Sequence, residues 1–229
     1  MKAVKKAVVM AGALVACASL VLASGGGAGI SADEALQKLM DGNKRYVDQQ
    51  MVAAKQSDVK ARESLAKGQK PYAIILSCSD SRVPPEVIFD QGLGEIFVVR
   101  VAGNVPDPIV VGSIEYAADH LGSPVVMVLG HERCGAVTAA VDTKGEAHGN
   151  IGAIMKQLAP AVKEAKKAGK GMEKAQLIET ATDQNIKLVA ANLTKQSTIL
   201  KKLVKEHKVR IVGAKYDLDD GKVSLVDLK

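Results

Sequence analysis

The chain has 229 residues, no tryptophan, two phenylalanines, four tyrosines and a formal charge of +6. That length suits one sizeable domain that needs no staples, and with so few aromatics its core must be built from Val, Ile, Leu and Ala. The charge points weakly at best to nucleic acid: Lys2, Lys5 and Lys6 belong to an apparent leader, the remainder carries about +3, and no basic run is interleaved with aromatics.

Residues 1–6 are short and positive, 7–23 are apolar, and Ser24-Gly25-Gly26-Gly27 follow. This is the layout of a secretory signal peptide cleaved after Ala23. An exported, periplasmic protein is expected, with no membrane span once the leader is gone. Two rival readings stand beside it. Leu14-Val15-Ala16-Cys17 resembles a lipoprotein box with Cys17 as the lipidated residue, although the residues after it stay apolar. At about 17 residues the run is also near the lower limit for a retained anchor.

Residues 24–30 read as a Gly-rich linker and 31–229 as a single domain whose first part, 31–67, is a helical arm. Ser31 and Glu34 form a capping-box pair at a helix start, and Ala35, Leu36, Leu39, Met40, Tyr46 and Val47 give the helix an apolar stripe. A second helix is expected over 58–67, ending at Gly68. The middle of the chain then alternates. Strands are expected at 72–77, 95–101 and 125–129, with helical segments at 109–120 and from Cys134 to Val141. Helical patterns follow at 151–170 and, as one long run, at 174–207. Strands at 209–214 and 222–227 close the chain as an antiparallel hairpin across Asp219-Asp220-Gly221. The expected fold is α/β, a mostly parallel central sheet of four to five strands flanked by helices.

Two expected strands end in reactive side chains. The first runs into Cys78-Ser79-Asp80-Ser81-Arg82, the third into Gly130-His131-Glu132-Arg133-Cys134-Gly135. In open α/β sheets the working groups gather at the carboxyl ends of the strands, so Cys78, His131 and Cys134 can converge. In an oxidising compartment the plain reading of Cys78 and Cys134 is a disulfide. The alternative is a shared metal: two thiolates and an imidazole suit zinc, and three protein ligands leave its fourth position open to water, as in catalytic sites. One helical turn would carry His131 and Cys134 to the same ion. Alternation along extended chain would put residues 78, 80 and 82 on one side. Arg82 would then hold Asp80 in a charge-assisted pair, aimed at the water and kept off the fourth position.

These two motifs together resemble those of the β-class carbonic anhydrases, and the likeness extends to the arm EALQKLMDGNKRYV, to FVVRVAGN and to GAKYDLDDGKVSLV. The resemblance implies one Zn(2+) per chain on Cys78, His131 and Cys134, a catalytic dyad of Asp80 and Arg82, and attack of zinc-bound hydroxide on carbon dioxide to give bicarbonate. It implies that Gln69 donates a hydrogen bond to the substrate and that Phe97, Tyr116 and Ala102 line an apolar slot. It also implies a backbone contact at Gly135, with Asp80 as fourth ligand in a closed state. The pocket would form at a dimer interface, in a homodimer or dimer of dimers, with the arm wrapping the partner. His120 is a candidate proton shuttle, whereas His148 and His207 have no role beyond solvent exposure. The other readings are a related zinc hydrolase of carbon disulfide or carbonyl sulfide, a metal- or partner-binding protein without catalysis, and a metal-free disulfide protein.

Overall fold

A computed structural model describes residues 29–143, 147, 149–169 and 171–228. The expected leader, most of the expected linker and His148 lie outside the described residues. The chain runs through helix α1 (Ala32–Val47), a 3-10 turn (Ala53–Gln56) and α2 (Val59–Leu65) to strand β1 (Ala73–Ser77). Then come α3 (Pro85–Ile88), β2 (Ile96–Arg100), a second 3-10 turn (Ala102–Asn104) and α4 (Pro108–Glu115). A π-type turn (Tyr116–His120) leads into β3 (Val125–His131), followed by α5 (Gly135–Asp142), α6 (Ile151–Ala168), α7 (Lys174–Gln196) and α8 (Thr198–Lys205). Strands β4 (Arg210–Tyr216) and β5 (Val223–Val226) end the fold.

The strands form one five-stranded sheet in the order β2-β1-β3-β4-β5, parallel except for β5. Both faces are covered, which is why β1 and β3 are buried along their whole length and apolar up to Leu76 and Leu129. Alternate residues serve opposite layers. Ile74, Leu76, Val126 and Val128 pack with Ile114, Ile186, Val189, Leu193 and Leu200 from α4, α7 and α8. Ile75, Met127 and Leu129 pack with Leu36, Leu39, Ile88 and Phe89 from α1 and α3. The approach of α7 to β3 needs Gly130, where a Cβ would stand 2.7 Å from Ile186.

Two expectations change, at Ser197 and at Cys134. The helical pattern over 174–207 breaks at Ser197, which turns extended and caps α8 by accepting the Leu200 amide at 2.9 Å. Pro84 and Pro85 open the short helix α3, because proline suits the first helical turn. Cys134 caps α5 and does not lie within it.

The capping box of α1 forms as expected, and the stripe Ala35, Leu36 and Leu39 is buried in this chain's own core. Asn43 ties α1 to two neighbours, donating to the carbonyls of Ile88 and Gly221 and accepting the Val223 amide. Asp90 fastens the rest of the arm. Its carboxylate is fully buried and accepts from Arg45 Nε at 2.6 Å, Val52 N at 2.9 Å and Ala53 N at 2.7 Å. Burial raises the pKa of this acid, but Arg45 and the two amides outweigh it, leaving the group below its usual 3.8. A carboxyl depressed in the folded state adds stability above the unfolded value and loses it as pH falls through the folded one. Asp90→Asn should therefore cost about 3 kcal/mol at neutral pH. In urea unfolding across a pH series, the gap to wild type should narrow below pH 3.8; a gap independent of pH would refute this assignment.

Candidate metal centre

The pairing of β1 with β3 sets Ser77 opposite Leu129, so the chain leaves both strands at the same edge of the sheet. Cys78 follows β1 directly, His131 is the last residue of β3, and Cys134 lies three positions on, before α5. All three are buried, and their ligand atoms lie within 4.8 Å of one another. The sulfurs of Cys78 and Cys134 are 4.0 Å apart and both thiols are free. A disulfide would need about 2.0 Å, whereas two sulfurs on one tetrahedral zinc at about 2.3 Å stand roughly 3.8 Å apart.

The donor set fits a metal on a second ground. His131 is fully buried, and its Nδ1, 2.8 Å from the Glu132 carbonyl, donates there in the matching tautomer. Its Nε2 keeps the lone pair, is buried, and has no hydrogen-bond partner. An orphaned buried acceptor beside two thiols has a use if a cation sits between them. The Cys78 thiol is pulled down by the hydrogen bond from Cys134, helped by the Gly103 amide, while Cys134 is pushed up by its neighbour and by burial. One thiolate is thus favoured already, and a cation would draw off the second proton.

Asp80 and Arg82 pair as expected: Nε to Oδ1 at 2.9 Å and Nη2 to Oδ2 at 2.8 Å. The route differs from strand alternation. The strand stops at Ser77, residues 81–82 turn, and the Arg82 amide folds back onto Asp80 Oδ1 at 3.0 Å. The hydrogen bonds from Arg82 hold the Asp80 carboxyl well below the usual carboxylate range. Its Oδ2 lies 3.8 Å from His131 Nε2. Nor is the step from His131 to Cys134 a helical turn: Arg133 takes a left-handed φ of +48° between them, and the two side chains meet.

Sequence reasoning missed the residues that hold these loops. Arg100, at the end of β2, donates to the carbonyls of Cys78 at 3.0 Å and Asp80 at 2.6 Å. The Gly103 amide reaches Cys78 Sγ at 3.3 Å from a φ of +71°, where a Cβ would crowd Leu158 and Ala136. The signal for Arg100 was there: a lone charge closing an apolar strand.

The expected pocket residues separate into two groups. Ala102 and Gly135 adjoin the cluster, next to Gly103 and Cys134. Phe97 and Tyr116 stack near each other, with centroids 6.3 Å apart. Phe97 pairs with Ile74, so it lies about 13 Å back along the sheet from Cys78. Gln69 is exposed before β1, at the far end of that strand. His120 is exposed beside Tyr116, with centroids 5.4 Å apart, and precedes β3 at the end of the sheet away from the cluster. His207 is exposed. One chain therefore does not bring Gln69, Phe97 or Tyr116 to its own Cys78, His131 and Cys134.

The family model for carbonic anhydrase matches residues 73–223. Carbonic anhydrase 2 of Mycobacterium tuberculosis is 39% identical over 196 residues, 84% of this chain and 92% of that protein. Among solved structures, the β-carbonic anhydrase CafA of the fungal pathogen Aspergillus fumigatus superposes with a TM-score of 0.70 at 27% identity, over 86% of this chain and 91% of that one. A Coccomyxa β-carbonic anhydrase in complex with acetazolamide gives 0.70 at 25% identity, over 83% and 86%.

The free-thiol geometry has a direct check. Protein unfolded without reductant, in the presence of a chelator, should be alkylated at both Cys78 and Cys134 in peptide mass spectrometry; recovery of the two as one cross-linked peptide would restore the disulfide reading.

Proposed function

The chain belongs to the β-class carbonic anhydrases, and from that premise we propose how its residues carry out the reversible hydration of carbon dioxide. Cys78, His131 and Cys134 would hold one zinc per chain. Bound there, zinc supplies the Lewis acidity that makes water a nucleophile near neutral pH. The observation that carries this reading is the buried, unpartnered His131 Nε2 facing two free thiols 4.0 Å apart.

Asp80, kept ionised by Arg82, accepts the proton that water gives up, at the Oδ2 nearest the cluster. The bidentate grip of Arg82 would also keep that carboxylate from taking a ligand position at the metal and closing the site. Carbon dioxide is small and apolar and needs a dry slot, which Phe97, Tyr116 and Ala102 supply. Gln69 donates to an oxygen of the forming bicarbonate, and the backbone at Gly135 adds a contact. Carbon dioxide and water become bicarbonate and a proton, and the proton leaves through Asp80 to solvent. The family match favours this chemistry over hydrolysis of carbon disulfide or carbonyl sulfide.

The slot is completed by a second copy. Gln69, Phe97 and Tyr116 lie away from their own metal cluster, so a homodimer in which each chain presents them to the other's Cys78, His131 and Cys134 reconciles the two groups. Exposure along that face supports it. Strand β2 is an apolar edge strand, and Ile109 and Tyr116 are 80% and 48% exposed. Helix α2 has no buried residue, which leaves it free to lie on a partner. Export is proposed on the leader-like residues 1–23; among the described residues no helix is long and apolar enough to cross a membrane.

Stopped-flow hydration of carbon dioxide tests the shared site. Wild type should be fast, Cys78→Ser inactive and without zinc, and Gln69→Ala slow with zinc retained. Co-expressing the two variants should restore about a quarter of wild-type activity, because half the dimers then hold one intact site. A mixture no faster than the mean of its parents would mean that each site lies within one chain, and a wild type with zinc but no hydration would overturn the mechanism.

A further inference from the structure

The turn from β3 to α5 has a demanding task. His131 ends a strand and Cys134 begins a helix, and both must reach one point. Arg133 makes that possible in a left-handed conformation that side chains with a Cβ adopt rarely. Such a conformation persists where the surroundings over-determine it, and three neighbours meet Arg133. Its guanidinium pairs with Asp219 of the β4–β5 turn through Nη1 at 2.9 Å and Nη2 at 2.8 Å. Its carbonyl lies 3.5 Å from Arg82 Nη2. Its amide N–H donates to Glu179 Oε1 at 2.8 Å.

These restraints are unequal. Asp219 is 73% exposed, so its pair is a solvent-screened one. Glu179 is better anchored. It projects from α7, and its other oxygen lies 3.2 Å from Lys215 Nζ, which sits on β4 and also holds Asp183 at 2.9 Å. The carboxylate is thereby fixed by two elements of the rigid core before it meets the turn. It is the one group among these that grips the backbone N–H of the left-handed residue itself.

We propose that Glu179 is a positioning residue for the metal centre. By accepting the Arg133 amide it locks the turn in the conformation that brings His131 and Cys134 to one ion, and Lys215 keeps the acceptor in place. The proposal rests on the metal reading of Cys78, His131 and Cys134. Glu179 touches neither metal nor substrate; it acts through the turn.

The test compares wild type with Glu179→Ala, Glu179→Asp and Glu179→Gln. Each is stripped of metal, titrated with zinc against a chelator, loaded with cobalt(II) for its visible spectrum, and unfolded in the metal-free state. E179A and E179D should bind zinc about 10–100-fold more weakly and shift the cobalt bands. E179D keeps the charge but withdraws it by one methylene, so the outcome does not hang on whether E179A folds. E179Q keeps an oxygen for the same N–H but turns its NH2 toward Lys215, so it should fall between wild type and E179A, as expected if the hydrogen bond and the Lys215 anchor both act. Unchanged zinc affinity and cobalt spectra in E179A and E179D, whatever their metal-free stability, would overturn the proposal alone. E179Q binding zinc as tightly as wild type would overturn the part given to Lys215. A wild type that binds neither ion would sink the metal reading and this proposal with it.

Discussion

The parallel pairing of β1 with β3 is the constraint on which the rest depends. Parallel neighbours end at the same edge, so the residues that follow Ser77 and those that follow Leu129 emerge side by side. That places a thiol from one loop against an imidazole and a thiol from the other, although 53 positions of sequence separate Cys78 from His131. The flanking helices secure the edge. Both faces of the sheet are packed, and Gly130 admits α7 close to β3 one residue before the histidine. A separate apolar cluster from α5, α6 and α7, including Val137, Leu158, Val162 and Ile178, surrounds the two cysteines. The donors are therefore buried among apolar side chains, which strengthens their electrostatic coupling.

Arginines then fix the loops. Arg100 draws the carbonyls of Cys78 and Asp80 toward β2, Arg82 holds the Asp80 carboxylate, and Arg133 carries the backbone through its left-handed step. The planar, forked guanidinium suits this task, since one side chain can bind two acceptors in a set geometry. The cluster has an ordered shell of charge around it before any cation arrives. The hairpin that supplies Asp219 is tied by Asn43 to α1, so the arm and the loop from His131 to Cys134 are linked through one chain of hydrogen bonds.

Much of this was legible from residue types and spacing. The alternation of apolar runs with helical patterns gave the α/β class, because buried parallel strands are apolar throughout. Ser31 with Glu34 marked the start of α1, and Cys78, His131 and Cys134 stood out as a zinc-type donor set at strand ends. What stayed hidden depends on tertiary contacts. The break at Ser197 looked helical because its neighbours keep the apolar period, and only the cap on Leu200 stops it. The Asp80–Arg82 pair was foreseen from strand alternation but arises in a turn, where the Arg82 amide returns to the carboxylate. Glu179 gave no signal, since an acid on a charged helix is ordinary until β4 brings Lys215 beside it. The separation of Phe97 and Tyr116 from the cluster needed the strand register, which a single sequence does not supply.

The central claim is that two strand ends and one loop converge on a single zinc through two sulfurs and one nitrogen. X-ray absorption at the zinc edge on protein loaded with one equivalent of metal tests it most directly. The account predicts two sulfur scatterers at about 2.3 Å, with nitrogen and oxygen at about 2.0–2.1 Å completing four ligands. A first shell of nitrogen and oxygen alone would place the metal elsewhere and contradict the assignment of Cys78 and Cys134.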